Sequence, residues 1–497
     1  MNRRHFLSTF AGAAAAAAVP CLAQAQTQTT PATPAASMPA GSPDNLAHQL
    51  ADYAASLRYA DLDAATIETV KSHCLDALGC AIAAHDEAPV RIARQVALAA
   101  GGGTSTIVGT TRRTTPDLAA FANGAALRYF DLNDAYAGKE TGHPSDNVAP
   151  CLAVAEAQRS SGRDLILAIA LAYEINCRLM DAAAISPRGW DHTCYSLPAV
   201  ALATGRLMGL TQPQLVQAVN LAINGHMALN QTRIQELSNW KALADADAAR
   251  NAIFATSLAR DGLTGPSPIF EGNAGFFRQI SGAFELDPGR FGGRGGRFRI
   301  NDCIVKYYPA QGLTQTAIPA AIDVASHIGD VSRIRSIEIA TTRVGYVTAG
   351  KDRQKWAPET SETADHSLPY IVARAMLDGD ITTASYTPAA LRDPKLRALI
   401  ERITVVEAPE LTARYPQYAP NRVTAVTDDG RRFSKEVDDL PGFPHHPMTR
   451  TDFETKFGKS VRGYWNPEQT RRVVDWLWHL DEQPDVSKLP ALMAIAA

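Results

Sequence analysis

The chain has 497 residues, 46% of them hydrophobic and 20% charged, with 48 basic against 51 acidic side chains. That is the make-up of a globular protein long enough for two or three domains. A formal charge of −3 argues against partners recognised through bulk positive charge, such as nucleic acid or an anionic membrane.

The first segment reads as an address and not as part of the fold. Arg3-Arg4-His5-Phe6-Leu7 is a twin-arginine opening, residues 9–19 are a short Ala-rich apolar run, and Ala23-Gln24-Ala25 fits a small-residue cleavage site. The run is too short and too weakly apolar to span a bilayer, so residues 1–25 are expected to be a twin-arginine signal peptide and the protein periplasmic. Losing Arg3 and Arg4 would move the charge from −3 to −5. Residues 26–42, rich in Thr, Pro, Ala and Ser, read as a flexible leader. Cys21 would leave with the signal, and the remaining six of seven cysteines are scattered without paired spacing, which favours buried thiols over a disulfide framework.

Residues 43–291 carry helical periodicity. Leu50, Tyr53, Ala54 and Leu57 recur at three and four, as do Val70, Cys74, Ala77 and Leu78. Residues 164–180 and 196–208 are apolar on nearly every side, the pattern of helices in the middle of a bundle. Gly292-Gly293-Arg294-Gly295-Gly296 then reads as a flexible joint. Beyond it strands are expected at 304–308, 334–342 and 403–406, helices at 313–328, 366–377 and 394–401, and a hairpin at 422–437 turning on Asp428-Asp429-Gly430. This order indicates a small α+β lid domain over 292–438. Residues 439–497 return to helices and are expected to pack back on the first part. The fold class is therefore mainly α with α+β, the large helical domain being built from both ends of the chain.

The polar stretch from Tyr129 to Pro150 stands out in an Ala- and Leu-rich first half. Asp131, Asn133 and Asp134 close one apolar segment, and His143-Pro144-Ser145 opens the next, as in a helix–loop–helix junction. Loops held by packed elements are where chemistry tends to sit. Asp and Ser at such places also serve simply as caps. Other ionisable residues occur in apolar or Gly/Pro-bounded settings: His192 after Trp190-Asp191, Lys241 after Trp240, Lys306 in Lys306-Tyr307-Tyr308-Pro309, and Tyr370 in His366-Ser367-Leu368-Pro369-Tyr370. Together they offer acids, bases and two cations at an expected domain interface, a common place for a small-molecule pocket. No dinucleotide-binding glycine fingerprint, P-loop, His-Glu-x-x-His or Cys-x-x-Cys is present, so no cofactor and no metal is expected.

These landmarks resemble, in order, those of the MmgE/PrpD family: Tyr129-Phe130-Asp131-Leu132-Asn133-Asp134 with His143-Pro144-Ser145; Trp240-Lys241 with Ala248-Ala249-Arg250-Asn251; Gly262-Leu263-Thr264-Gly265-Pro266; Phe270-Glu271-Gly272; Lys306-Tyr307-Tyr308-Pro309; His366 to Tyr370; and Lys456-Phe457. The resemblance implies a helical domain with a smaller lid, a homodimer, and an interdomain site with Asp131, His143, His192, Lys241, Lys306 and Tyr370. It implies a metal-independent lyase for a small di- or tricarboxylate, a hydro-lyase of the 2-methylcitrate dehydratase type. The alternatives are a decarboxylase, an epimerase or isomerase, or a carboxylate-binding protein without catalysis. Ala135 departs from the family pattern, where a Thr hydroxyl is usual, and the run to His143 is two residues longer. Ala310-Gln311-Gly312 after Pro309 also lacks the Cys or His often found there.

Overall fold

The computed structural model describes residues 45–496. The expected signal and leader lie outside these described residues. Helices dominate, and one four-stranded sheet accompanies them together with two-residue hairpins. No described helix is long and apolar enough to cross a membrane.

Two hydrophobic cores organise the described residues. The larger runs from Leu46 to Val305 and takes in Met448 to Met493, so both ends of the chain share it. At its centre Ser196–Leu207 buries its first ten residues, as expected of an all-round apolar helix. Gly162–Ala182 starts with a capping box from Ser161 and Asp164, which satisfies two free N–H groups of the first turn. The late helix Arg450–Ser460 docks on Ala64–Ala83. Gly79 makes that approach possible, because a Cβ there would stand 2.8 Å from the Phe457 ring. Lys456 beside it bonds Asp76 at 2.5 Å and the Leu132 carbonyl at 2.9 Å. The C-terminal segment thereby braces the polar stretch. The six described cysteines are buried free thiols.

The smaller core runs from Ala310 to Ala425. Its sheet has Ile334–Thr341 inside, flanked by Ile403–Glu407 in parallel and by Asn421–Thr427 antiparallel, with Arg432–Val437 outermost. Ala317–Ile328 packs on the two hairpin strands, and Leu368–Asp378 packs on that helix.

Three local expectations change. Residues 304–308 form no strand. Ile304 exchanges backbone hydrogen bonds with Ala135 at 2.7 and 2.8 Å, while Val305 turns to Gly442, so neighbouring residues pair with different segments and no ladder can propagate. Gly292 to Gly296 is a packed turn and not an open joint. Its Gly292 N–H bonds Glu174 at 2.9 Å, and a Cβ at Gly292 would lie 2.3 Å from the Phe298 ring. The loop before His143 is more than a connection, since Tyr136–Ala137 pairs with Thr141–Gly142 in a short hairpin.

Candidate active site

The helix Pro116–Arg128 ends just before Asp131, whose backbone adopts φ of 53°, a left-handed conformation uncommon outside glycine. Such conformations cluster where surrounding contacts over-determine the backbone. Here the contacts are cationic. Lys306 Nζ donates to the Asp131 carbonyl at 2.9 Å and to its carboxylate at 2.6 Å, and Arg128 donates to the same carboxylate oxygen. Lys241 Nζ lies 4.0 Å from the other oxygen. Asp131, Lys241 and Lys306 are all fully buried. Burial alone would raise the Asp131 carboxyl, but Arg128, Lys306, Lys241 and His366 outweigh it and hold the group well below the usual carboxylate range. Lys306, desolvated and close to other cations, drops to about 8.

Two imidazoles flank this carboxylate. His143 places Nδ1 2.7 Å from the Asp134 carbonyl. A carbonyl can only accept, so Nδ1 carries the proton and Nε2, 3.9 Å from Asp131, keeps a free lone pair. His366 repeats the arrangement: its Nδ1 donates to Asp365 at 2.5 Å and its Nε2 lies 3.8 Å from the second Asp131 oxygen. Burial and the surrounding cations push His143 well below its ordinary value and His366 down to about 4. Both rings are therefore neutral bases at neutral pH. They line one cavity of about 130 Å³, with Ala135, Thr141, Ile304, Gln311 and Tyr415 among its other walls.

Asp365 receives Lys241 at 2.7 and 2.9 Å, which ties the smaller core to the larger one through an ion pair. His192 lies behind His143, with ring centroids 5.6 Å apart, and is held between Asp191 at 3.6 Å and Asp245 at 3.8 Å. Arg233 bridges those two carboxylates at 3.0 and 3.2 Å. Gly142 leaves room for this edge-to-face contact, as a Cβ there would approach the His192 ring to 3.1 Å. The longer loop is anchored by Glu140, whose carboxylate accepts the N–H groups of Ile185 at 2.7 Å and Ser186 at 2.8 Å.

The structure thus brings together five of the six residues singled out from sequence: Asp131, His143, His192, Lys241 and Lys306. Tyr370 stands apart. Its hydroxyl donates to the Ser385 carbonyl at 2.5 Å, and its ring stacks on Tyr386. Sequence reasoning passed over Asp365 and His366, although His366 opens the motif that drew attention to Tyr370. It also missed Arg128, one helical turn before Asp131. The spacing of Arg128 and Asp131, three residues apart at a helix end, was the available signal.

Asp131, Asp365 and His366 offer donor atoms within 4.8 Å of one another, a spacing compatible with a metal ion. The same carboxylates already face the side-chain cations of Arg128, Lys241 and Lys306. The chain supplies the positive charge itself.

The MmgE/PrpD N-terminal domain family matches residues 48–289 and the MmgE/PrpD C-terminal domain family matches residues 308–480. This chain belongs to the MmgE/PrpD family. It is 28% identical to a 2-methylcitrate dehydratase of Cupriavidus necator over 82% of this chain and 87% of that one. A 2-methylcitrate dehydratase of Salmonella typhimurium is 27% identical over 74% and 80%. A cis-aconitate decarboxylase-like protein, oryM, of Aspergillus oryzae is 25% identical over 90% and 97%. At family level these relatives support an enzyme of the lyase kind.

Proposed function

We propose that this MmgE/PrpD member is a metal-independent hydro-lyase for a small di- or tricarboxylate, with Asp131, His143, His192, Lys241 and Lys306 in its site. The observation that carries the reading is the pair of neutral imidazoles, His143 and His366, each presenting a basic Nε2 to the same cavity beside buried lysines. Elimination of water needs a base for the carbon-bound proton, cations for the carboxylates and the enolate-like charge, and an acid for the departing hydroxyl. His143 Nε2 takes the proton. Lys241 and Lys306 hold the negative charge. His366, made more basic when an anionic substrate arrives, takes up a proton from solvent on Nε2 as the substrate binds and gives it to the departing hydroxyl, which leaves as water; His143 afterwards releases the abstracted proton to solvent. His192 and its carboxylates keep His143 oriented.

The two cores are read as body and lid, with Lys241 to Asp365 as the pair that closes one on the other. A homodimer is supported by exposed apolar residues: Ile92, Val96 and Phe254 are each more than half exposed on helices that both pack on Pro116–Arg128. The twin-arginine opening supports export to the periplasm, which fractionation with and without Arg3 and Arg4 tests.

The experiment for the reaction is a proton-NMR screen of citrates, methylcitrates and aconitates with the chelated protein. Loss of water from one of them supports the hydro-lyase reading. Release of carbon dioxide would assign the decarboxylase alternative, and deuterium uptake without either loss an epimerase.

A further inference from the structure

Two glutamines follow Lys306, and their amides do different work. Gln315 is buried and commits its whole amide to the turn: Oε1 accepts the N–H groups of Tyr307 and Tyr308 at 3.0 Å each, and Nε2 donates to the carbonyls of Tyr308 at 2.9 Å and Ala310 at 2.8 Å. The turn between Lys306 and Gln315 is therefore fixed, and Gln311 with it.

Gln311 is anchored at every polar atom but one. Its N–H donates to the Asp365 carbonyl at 2.9 Å, which ties it to the segment that carries His366. Its carbonyl accepts from the Thr314 N–H at 3.0 Å and the Thr314 hydroxyl at 2.8 Å, and its Oε1 accepts the Leu313 N–H at 2.9 Å. Because a backbone N–H needs an acceptor, the bond from Leu313 settles which end of the amide is oxygen. Nε2 is left with two N–H groups, has no hydrogen bond among the described residues and is not sealed inside the protein. The residue lines the cavity of about 130 Å³ that His143 and His366 share. In that cavity the two imidazoles present lone pairs, while Lys241 and Lys306 are already engaged by Asp365 and Asp131. Asp302, a carboxylate on the same wall, is paired with Arg297 at 3.2 Å and Arg299 at 3.1 Å. The Gln311 amide is thus a donor that no carboxylate of the protein occupies.

We propose that Gln311 is a substrate-binding residue that sets specificity, its Nε2 donating to a carboxylate oxygen of a small polycarboxylate held between His143 and His366. The inference rests on the polycarboxylate reading above and adds a neutral donor to that site. A site built to donate to a substrate oxygen rejects ligands that lack it, because the donor is then left unpaired.

Calorimetric titration of the full chain tests this with two probes, citrate and tricarballylate, the second having the three carboxylates of citrate without its hydroxyl. The variants are Gln311→Glu and Gln311→Met. Glu keeps an oxygen for the Leu313 N–H, so that variant should melt within a few degrees of wild type, yet it puts a negative charge where the donor was. Met removes the donor without adding charge. Both variants should bind both acids about tenfold more weakly or worse, as expected on losing a hydrogen bond to a charged group. If Gln311 only caps its turn, the Met variant melts lower and neither variant loses affinity, which would overturn the proposal. Loss in the Glu variant alone would overturn it too, since charge repulsion then explains the effect, and so would a wild type that binds neither acid. A loss confined to citrate would put the amide on the hydroxyl and overturn the carboxylate assignment. Turnover of 2-methylcitrate is followed in parallel. Binding of both acids that depends on Gln311 without turnover would leave the proposal standing and overturn the lyase reading alone.

Discussion

His143 donates its Nδ1 proton to the backbone carbonyl of Asp134 at 2.7 Å, and this bond decides the chemistry the ring can perform. It fixes the tautomer and leaves Nε2 as a lone pair facing the cavity. The Asp134 side chain is itself held by His73 at 2.9 Å, by Tyr173 at 2.9 Å and by the Ser145 N–H at 2.9 Å. The carbonyl that orients the base therefore belongs to a fixed residue. Replacing His143 by Ala should lower kcat by about 100- to 10,000-fold, the usual worth of a positioned base. The melting temperature should hold within a few degrees, which differential scanning calorimetry checks.

Asp131 makes a different prediction, because it is structural and chemical at once. Asp131→Asn leaves Lys306 and Arg128 buried without their counter-ion, a change that typically costs about 3–5 kcal/mol. Urea unfolding should show that loss. The sign with pH follows from the depressed carboxyl. Its stabilisation is fully present above the unfolded value of about 3.9 and disappears as pH falls through the lower folded value. The wild type should accordingly lose stability in acid more steeply than the Asn variant.

The pH profile of kcat/KM should be set on its alkaline side by Lys306. With Lys306 near 8, rates should fall as pH rises through that value and the ammonium is lost. His143 lies well below its ordinary value, so the base stays deprotonated through neutral pH and gives no acidic limb near 6.5. An acidic limb near pH 6.5 would contradict the assignment to His143, and an alkaline limb well away from pH 8 the assignment to Lys306.

Glu140 was invisible as a site determinant in sequence, since it looks like any loop carboxylate. In the structure it fastens the longer loop to Ile185 and Ser186. Glu140→Ala should cost about 1–3 kcal/mol through one buried and one partly buried N–H group left unpaired, and it should raise KM more than it lowers kcat. Equal effects on both would mean that the loop acts in the chemical step.

Much of the helical text was legible because its physics is local. Periodicity, caps and breakers give the helices, and the Asp428-Asp429-Gly430 turn gives the last hairpin. The ionisable residues drew attention because each is polar in an apolar setting. What stayed hidden depends on long-range contacts. The segment at 304–308 has strand composition, but its two sides meet Ala135 and Gly442, and no local signal announces that. Tyr370 and His366 are four residues apart, and only packing decides that the imidazole turns to Asp131 while the phenol turns to Ser385. Arg128 carries no local signal of its burial, which only the fold reveals.

In the proposed reaction two imidazoles and fixed lysines, without a metal, remove water from a polycarboxylate. Proton NMR of 2-methylcitrate with exhaustively chelated protein in deuterated buffer tests it most directly. Dehydration is expected at a rate unchanged by chelation and abolished in His143→Ala. No product from any citrate or methylcitrate, or a rate that vanishes on chelation and returns with added metal, would contradict it.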